Sequence, residues 1–341
     1  MPCSRQSSTL IISILNPRYQ INRNLSRLNH IACLSITLKS SMSSSPSIPS
    51  NSPMPAMIYG TAWKKERTAD LVYQAIKSGF RAIDTASMKR HYDEALTGEG
   101  IRRAINEGIV TRKDLWIQTK YTPQDPDFLS LGSISAQINA SVTSSLFNLS
   151  VSEEEEEQPP YLDALILHSP YPTISQTLEA WQALKPFVES KQIRYLGISN
   201  TPFSVLQALY NSSDVKPYVV QNRFRAAEYS WDFKTRKFCK ENGIKYQGFW
   251  TLTGNPDVWQ RKEFVRDVAE GSGVGLAEAW YCLMRDGGST EIVVLNGTTN
   301  EERMKGDLDA VGKVKAWRES DGGKQVWERS VKEFRELVDG E

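Results

Sequence analysis

The sequence predicts an α/β protein: a (β/α)8 TIM barrel with an extra C-terminal helix and a disordered N-terminal extension. Three observations predict it. Short apolar runs alternate with longer amphipathic ones from Met57 onward, the apolar runs number eight, and nearly all of them finish on polar or aromatic side chains. Apolar strands that lack a two-residue period belong to a parallel sheet covered by helices. Eight such strands are what a closed barrel needs.

The elements follow in order. Residues 58–60 read as the first strand, then Thr68–Lys77 as a helix stopped by Ser78 and Gly79. Residues 80–84 form the second strand, before a helix that ends at Glu107 and Gly108. Residues 115–119 are the third strand, with a helix over 134–149 behind it. Leu162–Leu167, apolar but for Asp163, is the fourth, followed by a helix over 177–189. Strands at 193–198 and 218–220 are separated by a helix over 202–210; the seventh and eighth strands are 244–248 and 292–295. One or two helices over 314–338 close the chain. The run from Ser152 to Pro160, with five glutamates, reads as a solvated loop. The glycines of Gly271-Ser272-Gly273-Val274-Gly275 follow a helix rather than a strand, and this rules out a dinucleotide fingerprint.

Composition narrows the function classes. Forty-one basic residues against forty acidic ones leave a net charge of +1, with no basic stripe for nucleic acid. Cys3, Cys33, Cys239 and Cys282 are scattered, so neither a disulfide framework nor a zinc site is indicated and no metal is expected. Cys239 and Cys282 fall on helices and read as core fillers. Residues 1–55 are rich in Ser and Asn and hold no acidic residue, the first being Glu66. They read either as a mitochondrial transit peptide or as a disordered extension, ahead of a barrel over residues 56–341. The expected location is cytoplasmic, or mitochondrial in the transit-peptide case. No segment has the length to span a membrane, and nothing demands more than a monomer.

The strand ends carry the chemistry, because a barrel of this kind builds its site there. They read Asp84, Lys120, His168, Ser199-Asn200, Gln221-Asn222, Phe249-Trp250 and Asn296-Gly297. Tyr92 lies in the loop after the second strand. A phenol titrates near pH 10, too high for easy acid–base work, but a neighbouring Lys120 ammonium would lower that value. Asp84 would hold Lys120, and a neutral His168 would orient a substrate oxygen. Together they would protonate a carbonyl oxygen while hydride reaches its carbon. His91 reads as a loop-lining residue.

Four segments resemble the aldo-keto reductase family: Phe80-Arg81-Ala82-Ile83-Asp84-Thr85-Ala86, Trp116-Ile117-Gln118-Thr119-Lys120, Asp163-Ala164-Leu165-Ile166-Leu167-His168 and Gly197-Ile198-Ser199-Asn200. Their order and spacing match along nearly all of the chain after residue 57. The resemblance implies Tyr92 as proton donor, with Asp84, Lys120 and His168 completing a catalytic tetrad. It implies an NADPH cofactor, with NADH as the alternative. Ser199, Asn200 and Gln221 would hold the nicotinamide carboxamide, with Asp84 beside them, and Phe249 would stack on the ring. Thr298 and Arg303 would meet the 2′-phosphate.

Three departures stand out. The loop from Ser87 to Tyr92 is longer than is usual, with Lys89 where a short-loop member has tyrosine. Gly297 stands where a lysine is common, and Gly306 and Asp307 replace the polar pair that usually holds the adenine. Trp63, Tyr121 and Trp250 would wall the mouth around a small-molecule carbonyl, with Trp63, His168 and Trp250 touching it. The expected function is NAD(P)H-dependent reduction of aldehydes or ketones. The alternative is a nicotinamide-binding redox sensor with little turnover, kept open by the altered loop before Tyr92. A metal-dependent barrel hydrolase would need clustered histidines, and only one ends a strand.

Overall fold

The computed structural model describes residues 54–151, 159–227 and 229–340. The extension up to residue 53, with Cys3 and Cys33, and the glutamate run of the loop at 152–158 lie outside the described residues. Among the described residues, eight parallel strands close into one barrel in sequence order. They are β1 (Met57–Gly60), β2 (Ala82–Asp84), β3 (Trp116–Tyr121), β4 (Leu162–Leu167), β5 (Ile193–Ser199), β6 (Val219–Arg223), β7 (Lys245–Phe249) and β8 (Ile292–Asn296). Closure is made by β8 pairing with β1, with Ile58 opposite Leu295.

Helices α1 (Thr68–Lys77), α2 (Glu94–Asn106), α3 (Ile134–Asn148), α4 (Ile174–Glu189), α5 (Phe203–Ser212) and α6 (Tyr229–Glu241) each follow the strand of the same number. The segment between β7 and β8 holds α7 (Pro256–Trp259), α8 (Glu263–Ser272) and α9 (Leu276–Asp286); α10 (Glu301–Arg318) and α11 (Asp321–Val338) follow β8. The helices lie where amphipathic spacing puts them: α1, for example, buries Leu71, Val72, Ala75 and Ile76 along one face. Polar caps set their starts. Asp93, Ser133, Thr173, Asn300 and Ser320 each accept a first-turn backbone N–H.

Those caps also explain where the sequence reading fell short. The closing helix begins at Glu301 rather than 314 because Asn300 Oδ1 takes the Arg303 N–H at 2.9 Å. It then breaks at Ser320, which caps a second helix. Gly273 ends α8 in the left-handed conformation (φ 67°), which a residue with a Cβ resists, so this glycine run is a helix–helix turn. Cys239 and Cys282 are free and buried, as fillers should be. No helix among the described residues is long and apolar enough to cross a membrane.

Side-chain parity along the strands divides the core in two. Tyr59, Ile83, Ile117, Leu165, Ile198, Val220, Tyr246 and Val294 point outward and pack under the helices. Ile58, Ala82, Trp116, Ala164, Ile166, Val219 and Val293 point inward and fill the barrel, with Met54 among them. Trp116 stacks on Tyr195 (5.7 Å) and Tyr195 on Tyr218 (4.0 Å) near the N-terminal ends of β3, β5 and β6, closing the barrel floor. The C-terminal helix is tied to α6 by a fully buried ion pair, Arg236 Nη1 to Asp339 Oδ1 at 2.6 Å.

Candidate active site

Inward parity carries from the apolar layer to the C-terminal mouth. Continuing the inward register places Asp84, Lys120, His168, Ser199, Gln221 and Phe249 on the same side, six of the residues marked in the sequence. At their centre, the Lys120 ammonium donates to Asp84 Oδ2 at 2.5 Å and to the Thr85 carbonyl at 2.8 Å. Both side chains are 1% exposed. A buried ammonium without such partners would be prohibitive. The other Asp84 oxygen accepts from Gln118 Nε2 (2.7 Å) and Gln221 Nε2 (3.1 Å). Gln118 and Gln247 exchange a pair of amide bonds at 2.8 and 2.9 Å, and Gln221 joins them. This amide layer fixes the carboxylate that fixes the lysine. The sequence reading missed Gln118 and Gln247. Their signal was a glutamine at an inward position of each strand, two residues before the mouth.

The long loop does bring Tyr92 to this point. Its start is tied to β3 by the Ser87 N–H on the Lys120 carbonyl (3.0 Å), and the Tyr92 N–H turns back to the Met88 carbonyl (3.1 Å). At its end Asp93 caps α2, and the buried Glu94 carboxylate accepts from Thr119 and Ser145. Above, the Trp63 backbone N–H donates to the His91 carbonyl at 2.7 Å, and the indole ring centre lies 4.0 Å from that of the imidazole. Lys89, 83% exposed, leaves the mouth to pair with Asp127. As a result Lys120 Nζ lies 5.0 Å from the Tyr92 ring centre, and the Tyr92 and His168 rings meet edge-on at 6.0 Å.

The electrostatics differ from the sequence reading in one respect. Burial raises the Tyr92 phenol above its ordinary value, and Lys120 opposes that rise without cancelling it. Tyr92 is therefore a firmly protonated phenol in this state, not one with a lowered pKa. His168 is pushed down to about 3 by burial and then by Lys120, which makes it a neutral imidazole. Its Nδ1 is bonded to Thr122 Oγ1 at 2.8 Å, and Nε2 is the ring's remaining polar atom.

Ser199 Oγ donates to the Gln221 carbonyl (2.7 Å), and Asn200 Nδ2 donates to the His168 carbonyl (3.0 Å). Asn200 Oδ1 is buried and has no hydrogen-bond partner. An orphaned acceptor of this kind costs about 1–3 kcal/mol, and a primary carboxamide would satisfy it. Asn200 lines a cavity of about 720 Å³, and Phe249 ends the neighbouring barrel wall as a partly buried side chain. These residues fit a nicotinamide. Gln221 is the exception, since its Nε2 is committed to Asp84 and Gln247.

At the β8 end, Thr298 and Arg303 flank the start of α10, with Arg303 exposed. Gly297 leaves open space, and Lys64 occupies its edge: the ammonium donates to the Gly297 carbonyl and lies 3.9 Å from where a Cβ would stand. Lys64, missed in the sequence, thus brings back a cation beside the position where a lysine is common. Asn296 points outward rather than to the mouth, and its Nδ2 holds Asp307 Oδ2 at 2.7 Å. Burial raises Asp307 to about 6.

Two further expectations need correction. Tyr121 does not wall the mouth: with Lys120 inward it must face outward, where its hydroxyl meets that of Tyr171 at 2.8 Å. Asn222 faces outward for the same reason and bonds Thr201 and Asp232. Trp63 and Trp250 are 63% and 49% exposed, consistent with a mouth position. Among the described residues, no group of three or more His, Cys, Asp or Glu could hold a metal ion.

With this geometry established, comparison with known proteins places the chain. The Aldo/keto reductase family model matches residues 56–311. The NAD(P)H-dependent D-xylose reductase I,II of Candida tropicalis is 27% identical over 303 residues, 79% of this chain and 90% of that protein. The NAD(P)H-dependent D-xylose reductase of Scheffersomyces stipitis is 30% identical over 206 residues, 52% of this chain and only 58% of that enzyme. Among solved structures, a Bombyx mori aldo-keto reductase complexed with NADPH superposes with a TM-score of 0.61 at 19% identity, covering 77% of this chain and 84% of that one. The aldose reductase of Schistosoma japonicum gives 0.62 at 18% identity, covering 84% and 93%. The chain belongs to the aldo/keto reductase family.

Proposed function

We propose that the protein is an NADPH-dependent carbonyl reductase that converts aldehydes or ketones to alcohols. The observation that carries this reading is the arrangement at the mouth: Lys120 bonded to Asp84 at 2.5 Å, with the Tyr92 ring 5.0 Å from the ammonium and His168 edge-on to it. A reduced nicotinamide, when bound, supplies a hydride to the carbonyl carbon. Every other part of the task falls to the chain. Tyr92, kept protonated by burial, donates its phenolic proton to the carbonyl oxygen. Lys120 stabilises the phenolate that remains, and Asp84 keeps Lys120 in place. Neutral His168 offers Nε2 to the same oxygen and helps orient it. Asn200 Oδ1 accepts from the carboxamide of the cofactor, Ser199 positions Asn200, and Phe249 provides an aromatic face for the ring. Trp63 and Trp250 wall the substrate.

The relatives' names support a nicotinamide-dependent reduction of an aldehyde-bearing substrate. The preference for NADPH rests on Lys64, Thr298 and Arg303 around the start of α10. The sensor alternative drew on the altered loop, yet that loop delivers Tyr92 beside Lys120. The test is to mix purified protein with NADPH or NADH and a panel of aldehydes, following loss of cofactor absorbance in wild type and Tyr92→Phe. Turnover with NADPH that falls at least a hundredfold in the mutant, with cofactor binding retained, is the expected result. Tight cofactor binding without turnover on any carbonyl would sink the proposal.

A further inference from the structure

One charged side chain at the mouth has no role in the machinery above. Arg223 ends β6 two residues after Gln221, so it shares the inward parity of the site and pairs in register with Phe249. Its guanidinium carbon lies 5.7 Å from the Phe249 ring centre and 4.8 Å from that of Trp250. Its Nε is buried with no hydrogen-bond partner. A guanidinium that keeps a buried N–H unpaired bears a desolvation cost that an incoming acceptor would relieve.

The surroundings say what kind of acceptor. Arg223 lines the same cavity of about 720 Å³ as Asn200, Thr201, Phe203, Asp232 and Lys234. Two basic side chains against one carboxylate leave a single net positive charge in the lining. Asp232 is already engaged, accepting from Asn222 Nδ2 at 2.8 Å and from the Tyr246 hydroxyl at 3.1 Å. Burial also raises it above the usual carboxylate range. Its Oδ2 is thus taken up by Asn222 and Tyr246 rather than by Arg223. A neutral carboxamide beside Asn200 would leave the charge of Arg223 unanswered. A monoanion matches it.

We propose that Arg223 is a specificity-determining residue that anchors a carboxylate on the carbonyl substrate, so that the preferred substrates are aldehydes or ketones bearing a carboxylate group. The planar guanidinium, flanked by Phe249 and Trp250, presents the forked donors a carboxylate accepts. The reaction balance is that of the reduction proposed above, on which this inference rests. The carbonyl carbon gains hydride from the reduced nicotinamide, the oxygen gains the Tyr92 proton, and the carboxylate passes through unchanged.

The test compares kcat/KM for succinic semialdehyde and for butanal, an uncharged aldehyde of the same chain length, in the full chain. Wild type should prefer the carboxylated aldehyde by tenfold or more, the range of a charged hydrogen bond. Arg223→Gln should collapse that ratio toward one, mainly through KM, and Arg223→Lys should restore part of it. A ratio near one in wild type, or one that survives Arg223→Gln, overturns the proposal. So does an equal weakening of both substrates together with weaker NADPH binding by fluorescence quenching, since Arg223 would then serve the cofactor. A phosphorylated aldehyde preferred over the carboxylated one, with the preference lost in Arg223→Gln, overturns the choice of carboxylate. Should neither substrate turn over, the reductase reading has failed, and calorimetry with 4-hydroxybutyrate decides this proposal separately. Binding that Arg223→Gln abolishes upholds the anchor, and no binding overturns it.

Discussion

Lys120 and Asp84 form a 2.5 Å ion pair beneath the barrel mouth, each side chain 1% exposed. Neither charge is tolerable there without the other. Removing one partner should therefore cost more than removing both. Lys120→Met is expected to lose about 3–5 kcal/mol of stability, and Asp84→Asn with Lys120→Met to recover a large part of it. Urea midpoints at unchanged m-value measure both. A double variant no more stable than Lys120→Met would show that the pair is not coupled in this way.

Tyr92 predicts a pH dependence. Its phenol is raised by burial, so it stays protonated beyond pH 10 and remains competent as a proton donor throughout the physiological range. Carbonyl reduction should show no falling limb from Tyr92 between pH 6 and 9. The reverse oxidation, which needs the phenolate, should climb with pH over the same range. A reduction profile whose kcat/KM falls with a midpoint near pH 8, and loses that midpoint in Tyr92→Phe, would contradict it.

His168 is held neutral, with its folded value near 3 against an unfolded value of about 6.5. Above pH 6.5 neither state binds the proton and the residue contributes nothing to pH dependence. As pH falls below that value the unfolded chain takes up the proton first, and stability is lost down to about pH 3. Wild type should lose about 2–3 kcal/mol more than His168→Gln between pH 7 and 4.5. Parallel denaturation curves at the two pH values read this difference. Equal losses would mean that His168 titrates normally.

Lys64 predicts how the cofactor's phosphates are met. Its ammonium sits against the Gly297 carbonyl, beside the start of α10. Lys64→Met should weaken NADPH binding about tenfold, measured by quenching of tryptophan fluorescence. Gly297→Lys in that background should recover a part, because open space surrounds Gly297. Unchanged NADPH affinity in Lys64→Met would remove Lys64 from the cofactor site.

How far the sequence could be read is clearest strand by strand. Leu162–Leu167 is a strand with the same limits in sequence and structure, since a short run apolar but for Asp163 reads most simply as a buried strand. Lys120 and His168 stood out as charged or polar residues just past such runs. Tyr92 was readable as a candidate but not as a neighbour of Lys120. Its placement depends on the Ser87 and Tyr92 backbone bonds and on the Trp63–His91 stack, contacts between segments that no local pattern encodes. Tyr121 and Asn222 were misread for a simpler reason. Strand ends were treated as all facing the mouth, whereas alternate side chains face opposite sides.

The sequence by itself determined the barrel, the family likeness and the set of polar residues at the strand ends, because apolar periodicity and turn chemistry act over a few residues. Only the tertiary structure decided which members of that set meet. It turned Asp84, Lys120, His168 and Gln221 to one side and sent Tyr121, Asn222 and Asn296 to the other. It also reversed the direction of the Tyr92 shift, because desolvation depends on what closes over a group in space. Burial and through-space charge are properties of the assembled mouth, and residues distant in sequence assemble it.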